Sequence, residues 1–538
     1  NAINLHRMQV LSKWHEEESI LIASYALFSR LTDYESPRLS VFSGNIGKLL
    51  LQRPGLLILD EGHLARNHDS KLRKSLMQVK TKLRILLSGT IFQNNCCELF
   101  NTFHLVRPTF MKDMFQSQEN NSPHLFYCGR GRPPKVSHAN LSRWKLTIPT
   151  QKTNKCRFSP DEEAEPDLGT EDGVESHTRR LFMEKIGKTL ENGQTKRGKL
   201  LENTINRLRS MTQSFVHYYT GEILKSLPGL NDFTIFLKPS PKQERLLYEI
   251  AKVWDRKRAL ELEYVVSSVC IHPYLFKILS DTDGCAKVNL TNVGDLVTNP
   301  EESMKVRFVI KLLRLCQVQN EKLLIFSQNI TPLQFLENLL QSDIKFLKGE
   351  RIMKLHGSLS LGDRQGVIDC FNKPNGNVRV LLASTKACGE GITLTGASRV
   401  VFLDILWNPA VMRQAMSRAF RLGQKKEVFV YRLVASGTLE EDKYKRTIWK
   451  DWLSRSIFES SINCEKDNTP SPQLKASPSK NMNSKGKDSI ENDAMLATLV
   501  ELDQEYKCIL QIVKHDSCLD QGDMSSTGMV DCEMEGHN

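Results

Sequence analysis

Short apolar runs bounded by turn residues gather in two stretches of the chain, and helical patterns separate the runs within each. Strands covered on both faces have this signature, because a buried parallel sheet needs no alternation with polar positions. The first stretch spans about residues 19–108, with strands predicted at 20–24, 56–59 and 84–87. The second spans about 301–455, with strands predicted at 322–326, 378–383, 400–403 and 428–433. The pattern predicts an α/β protein with two lobes.

Residues 111–200 are polar, carry an acidic patch at 161–165 and lack sustained periodicity, so they read as an exposed, partly disordered insertion. Residues 201–300 regain helical character, as at 243–253, and are expected to end the first lobe (1–110) and lead into the second (301–458). From 459 to 538 Ser, Asn, Lys and Asp dominate, which predicts a flexible tail with one docking helix at 494–513.

With 538 residues and 40% hydrophobic content, the chain can bury at least two substantial cores. No apolar stretch approaches the roughly 20 residues that span a bilayer, and the first residues lack a secretory pattern, so membrane and export are not expected. The 13 cysteines include no C-x-x-C pair and read as reduced thiols of nucleus or cytosol. A formal charge of +12 suits a polyanion such as nucleic acid, and it also suits an ordinary solvated surface.

Asp60 and Glu61 follow the apolar run 55–59 directly, at the carboxyl end of a predicted strand, where α/β sheets place their ligands. Asp60 can hold Mg²⁺ and Glu61 can activate the water that attacks a γ-phosphate; an isolated Asp-Glu pair is also an ordinary polar turn. The next predicted strand ends in Ser88-Gly89-Thr90, whose hydroxyls can sense a γ-phosphate, although the tripeptide alone is a common turn. Gln414-x-x-x-Arg418-x-x-Arg421-x-Gly423-Gln424 predicts two guanidiniums on one helical face, a pattern suited to arginine fingers.

Together with Leu324-Ile325-Phe326-Ser327-Gln328, His356-Gly357-Ser358, Ser384-Thr385-Lys386-Ala387-Cys388-Gly389-Glu390-Gly391-Ile392 and Trp407-Asn408-Pro409, these segments resemble motifs II to VI of superfamily 2 helicases in Snf2 form, in the correct order. Asp60-Glu61-Gly62-His63, Lys386-Ala387-Cys388, Gly396-Ala397-Ser398-Arg399-Val400 and the stretch from Phe215-Val216-His217 to Leu227-Pro228-Gly229-Leu230 are similar to the plant CLASSY group. The resemblance covers about 19–108 and 201–458. It implies two RecA-like lobes, the first incomplete, in a nuclear protein that binds double-stranded DNA and chromatin. It also implies a DNA-dependent ATPase that supports small-RNA-directed DNA methylation by helping to place a plant-specific RNA polymerase.

Carried over by motif, the resemblance makes Asp60 the Mg²⁺ ligand, Glu61 the catalytic acid, and Arg418 and Arg421 the fingers. Gln414 and Gly391 join the nucleotide site, Ser88 and Thr90 couple hydrolysis to movement, and Ser384 and Thr385 lie near DNA. Arg130 and Arg132, within Gly129-Arg130-Gly131-Arg132-Pro133-Pro134-Lys135, read either as a minor-groove hook or as a solvated loop.

A motor of this type also needs a glycine-rich loop ending in Gly-Lys-Ser or Gly-Lys-Thr before the Asp-Glu motif, to hold the β and γ phosphates. Gly47-Lys48 is followed by Leu, and Gly187-Lys188-Thr189 lies after motif III with no Gly five residues before it. With Asn1 in first place, the sequence reads as a fragment, with ATP and Mg²⁺ expected as cofactors of its full-length parent. The competing reading is a non-catalytic scaffold that binds DNA or a polymerase. An RNA helicase is disfavoured, because DEAD-box enzymes begin motif VI with His. Gly62 and Ile91 stand where relatives commonly have Ala and Pro, changes expected to be tolerated. His272 and His356 have no partners at metal-ligand spacing and read as structural.

Overall fold

Leu323, Leu324, Ile325 and Phe326 are fully shielded from solvent, and they form the middle of the larger of two sheets. The computed structural model describes residues 2–17, 19–33, 41–89, 95–111, 171–193, 198–219, 226–253, 258–279, 288–291, 293–342, 351–389, 391–458, 493–503 and 507–515. They divide into two units, one containing 1–218, 408–410 and 446–472, the other 219–407, 411–445 and 473–538. No helix among the described residues is long and apolar enough to cross a membrane.

The second unit is built on a seven-stranded sheet. Its strands are β3 (Leu230–Leu237), β4 (Leu323–Ser327), β5 (Arg351–Leu355), β6 (Val378–Ser384), β7 (Arg399–Phe402), β8 (Val428–Ala435) and β9 (Ile509–His515). The order is β5-β6-β4-β7-β8-β3-β9, with every neighbouring pair parallel except β3 and β9. The predicted strands at 322–326, 378–383, 400–403 and 428–433 are present, each within a residue or two of its expected limits. The helix Met304–Val318 buries Val309, Leu312 and Leu313 against one face, and Leu333, Leu336 and Leu340 of the helix Ile330–Ser342 join the same core.

Three strands, β3, β5 and β9, escaped the pattern. β3 carries Asn231, Asp232 and Thr234, polar residues that interrupt an apolar run; the Asp232 carboxylate accepts a hydrogen bond from the Arg432 guanidinium of β8, which compensates its burial. The segment 201–300, expected to end the first lobe and lead into the second, is divided at Tyr218, and from Tyr219 onward it belongs to the second unit. The tail differs as well: the expected helix over 494–513 is a helix Ala494–Leu502 followed by β9 at the sheet edge. Lys507, with a positive φ of 47°, lies in the turn between them.

In the first unit, β1 (Leu57–Leu59) and β2 (Arg84–Leu86) pair in parallel, with Ile58 opposite Ile85. One face of the pair is apolar and open: Leu56, Ile58, Leu83, Ile85 and Leu87 are all at least 45% exposed. Residues 20–24 form no strand, and Ile20 and Ile22 are each 92% exposed.

A separate aromatic core joins Phe100 and Phe103 of the helix Cys96–Val106 to Phe110, Phe182 and Phe215. Phe182, Ile186 and Leu190 are completely buried there. The expectation of a polar insertion to residue 200 is thus corrected from Glu171 onward: the helices Glu171–Phe182 and Lys188–Asn192, joined by a π turn, pack into this core. Residues 112–170, with Arg130 and Arg132, lie outside the described residues.

Candidate functional site

The first cluster lies where β1 and β2 end. Leu87 N–H donates to Leu59 O at 2.9 Å and Gly62 N–H to Leu87 O at 3.0 Å, so the strand pairing extends into the two turns. Asp60 is exposed, and its Oδ1 accepts the Glu61 N–H at 3.0 Å. Glu61 takes a left-handed conformation at φ 48°, uncommon for a residue with a side chain and a form of strain found at functional turns. Tyr25 donates its hydroxyl to Asp60 O at 2.6 Å. Burial, and then the negative charges of Asp60 and Glu61, push that hydroxyl up to about 12.

His63 connects the two turns. Its Nδ1 lies 3.0 Å from Ser88 Oγ and 3.2 Å from Glu61 Oε2. Burial, assisted by Arg66, lowers the imidazole below its ordinary value, which favours a neutral ring that communicates through hydrogen bonds. Gly62 is required by the same geometry. A Cβ there would lie 2.3 Å from Leu86 Cγ, so the β2 side chain occupies the space that an alanine would need. Ser88 is therefore tied to the acidic turn, whereas Thr90, Ile91, Gln93 and Asn94 lie outside the described residues.

The second cluster lies in the other unit, at the carboxyl ends of β4, β6 and β7, beside the point where the strand order reverses across β4. Asp404, 2% exposed, follows β7 and accepts from Ser327 Oγ at 2.8 Å and from Gln328 N–H at 2.9 and 3.1 Å. Thr385 N–H donates to Ser327 O at 3.0 Å. Ser384 and Thr385 are only 5% and 2% exposed, so their side chains are inside the lobe and Lys386 is the exposed member of this turn.

Arg418 and Arg421 do not share a helical face as the spacing predicted. The helix Pro409–Met416 contains Gln414 but ends before both arginines, which occupy the turns that follow. Their common task is to bind the loop after β6: Arg418 donates to Cys388 O at 2.8 Å and Gly389 O at 2.9 Å, and Arg421 to Ile392 O at 3.0 Å. Burial pushes the Cys388 thiol up to about 12, against the pull of Arg418, which keeps it protonated. Gly391 is exposed, with open space where a Cβ would stand, and residue 390 is outside the described set.

Gln424 completes the cluster. Its amide donates to Thr395 O, Ala397 O and Ala419 O at 3.2, 2.9 and 3.0 Å, and its oxygen accepts from Lys425 and Lys426 N–H at 2.9 and 3.0 Å. The preceding Gly423, at φ 99°, supplies the turn that brings this side chain inward. Sequence reasoning missed Asp404, although the signal that identified Asp60, a carboxylate directly after a buried apolar run, is present there too. It read Gln424 only as a bracket of the arginine motif. His272 is buried and its Nε2 lies 2.9 Å from Asn299 O, contacts that suit a structural role.

Residues 6–149 match the SNF2-related domain, and residues 304–423 match the helicase conserved C-terminal domain. The chain is 37% identical over 457 residues to SNF2 domain-containing protein CLASSY 1 of Arabidopsis thaliana, covering 83% of this chain and 33% of that protein. It is 35% identical over 475 residues to CLASSY 3 of the same plant, covering 84% and 29%. The DNA repair and recombination protein RAD26 of Saccharomyces cerevisiae is 28% identical over 419 residues, covering 76% and 32%. The chain therefore spans about a third of the length of these curated relatives.

Proposed function

We propose that this chain, a Snf2-family protein homologous to the Arabidopsis CLASSY proteins, is the larger part of the motor region of a DNA-dependent ATP hydrolase that acts on chromatin. The observation that carries the reading is the turn after β1. Two adjacent carboxylates stand at a strand's carboxyl end, one of them strained, and His63 ties them to the turn after β2.

The donor set suits Mg²⁺, a cation that keeps several waters and takes one or two carboxylates plus substrate phosphates. Asp60, an exposed carboxylate, would hold it, and bound Mg²⁺ would neutralise phosphate charge. Glu61 would orient and deprotonate the attacking water, with His63 fixing the carboxylate's direction through their 3.2 Å contact. In the second unit, Arg418 and Arg421 hold the loop 388–392 through its carbonyls. As finger residues they would exchange those carbonyls for phosphate oxygens, so nucleotide binding would alter the loop between β6 and β7. Gln414 and Gly391 would border that nucleotide. Ser384 and Thr385, being buried, would shape the DNA-facing turn from within, with exposed Lys386 meeting the phosphate backbone.

In its biological setting the protein would work in the nucleus, in small-RNA-directed DNA methylation, helping to place a plant-specific RNA polymerase on chromatin. The homology to CLASSY proteins supports this reading. The test uses the protein purified from its source tissue alongside its Glu61→Gln variant. We expect double-stranded DNA to stimulate ATP hydrolysis, and the variant to retain nucleotide binding while losing turnover. Equal turnover in the two would overturn the assignment of Glu61. Nucleotide-independent binding of DNA or polymerase, with no hydrolysis in either, would replace the motor with a scaffold.

A further inference from the structure

Arg399 begins β7 and is 5% exposed, so its guanidinium needs acceptors that the lobe must supply. Glu321 provides one, taking the Nε–H at 2.7 Å, and the ring of Phe429 lies 3.9 Å below the guanidinium carbon. The other carboxylate comes from far along the chain: Asp493 Oδ1 accepts from Arg399 Nη1 at 2.6 Å, and Asp493 Oδ2 accepts the buried Tyr431 hydroxyl at 2.5 Å. The Asp493 side chain is completely shielded, and it also accepts the Met495 N–H at 3.2 Å, which caps the helix Ala494–Leu502.

That helix and the strand after it complete the lobe. Met495, Leu496 and Leu499 are 1%, 0% and 2% exposed within the core of the second unit. Asp503 Oδ2 accepts from Cys508 and Ile509 N–H at 2.6 and 2.7 Å, fixing the turn into β9. β9 then runs antiparallel to β3 from Leu237 opposite Ile509 to Asp232 opposite His515, and Lys238 N–H donates to Cys508 O at 2.8 Å. The helix, β9 and β3 lie outside residues 304–423, which match the helicase C-terminal domain.

We propose that the second unit carries a docking site for residues 493–503 and 507–515 of its own chain, in which Arg399 and Tyr431 read the Asp493 carboxylate and the edge of β3 receives β9. The site selects three features in sequence: a carboxylate, a short helix with a Met-Leu-Leu face, and an edge strand. Charge makes the choice stringent. Without Asp493, a buried guanidinium keeps a single carboxylate and a buried phenol loses its acceptor, while the polar edge of β3 is uncovered. The clasp is thus an integral, chain-encoded part of the lobe, and it stands whether or not the protein hydrolyses ATP.

The test is made in the full 538-residue chain, with the recognition sequence of a site-specific protease placed within residues 459–492. After cutting, the C-terminal fragment is expected to co-elute with the main body in size-exclusion chromatography. Asp493→Ala in the cut protein is expected to weaken retention about 100-fold or more, the consequence of leaving a buried charge unpaired. In the uncut chain the same substitution should lower Tm by about 6–12 °C. Asp493→Asn, which keeps the shape and a hydrogen bond to Tyr431, should fall between the two and guards against simple misfolding. Separate elution of the wild-type fragment, or equal retention of the Ala variant, overturns the proposal. Light scattering of the uncut chain should give a monomer; a dimer held together by this contact would place the clasp on a second copy and refute docking in cis.

Discussion

His63 Nδ1 and Ser88 Oγ stand 3.0 Å apart across the ends of two parallel strands, so the acidic turn and the Ser-Gly-Thr turn form one hydrogen-bonded unit. Removing either partner by His63→Ala or Ser88→Ala should cost about 1 kcal/mol of stability. The double variant should cost less than the two losses added, because the second substitution has no bond left to break. Urea midpoints of the four proteins measure the coupling, and strict additivity would mean that the two turns are independent.

Glu175 gathers Arg73 at 3.0 Å, Arg179 at 3.0 Å and His104 at 3.6 Å inside the first unit. Burial pushes His104 down from 6.5 to about 4, against the raising effect of Glu175. Unfolding therefore takes up a proton in that interval, and stability must fall as pH drops from 6.5 toward 4, by at most about 1.4 kcal/mol per pH unit. For Glu175, burial acts to raise the carboxyl group, but His104, Arg73 and Arg179 outweigh it and hold it below its usual range, which adds a loss of the same sign in more acid solution. Denaturant unfolding at pH 7, 6 and 5 should show the decline, and His104→Gln should flatten it. A variant as pH-sensitive as the parent would assign the effect to another group.

Gln424 satisfies three carbonyls and two amides from a position 7% exposed. Gln424→Ala leaves these groups inside the protein without their partner and should cost about 2–4 kcal/mol. Limited proteolysis should then cut within residues 388–397 before other described segments of the second unit, since both ends of that loop depend on side chains from 418–424. Unchanged cleavage would show that Arg418 and Arg421 alone suffice to hold it.

The close approach of Leu86 to Gly62 makes an experiment in shape. Gly62→Ala should destabilise the first unit by about 1–3 kcal/mol through overpacking. The added substitution Leu86→Ala should recover much of that loss by removing the Cγ that a Cβ would meet at 2.3 Å. Thermal unfolding of the single and double variants distinguishes this clash from an intrinsic need for glycine, which Leu86→Ala would not relieve.

The central strands were readable because each is mostly apolar, and the residues of β4 and β8 are buried from end to end. β3 was not, since Asp232 looks like a strand breaker until Arg432 is placed beside it by the neighbouring strand. The segment at 20–24 misled in the opposite direction: its composition suits a strand, but hydrogen-bonding neighbours make a strand, and Ile20 and Ile22 remain exposed. Gln414, Arg418 and Arg421 were found by spacing, yet the helix that the spacing implied stops at Met416.

By itself, the sequence determined which chemistry could be present: two carboxylates after an apolar run, hydroxyls after the next, and a glutamine-arginine block in the order of a Snf2 motor. These are local signals, written in neighbouring residues and in the period of the backbone. The tertiary structure decided what each group holds. It gave the arginines of the block to a carbonyl-lined loop, joined His63 to Ser88, and brought Asp493 to Arg399 across 94 positions of sequence. A buried charge needs its partner in space, and no periodicity along the chain records which distant residue folding will bring to it.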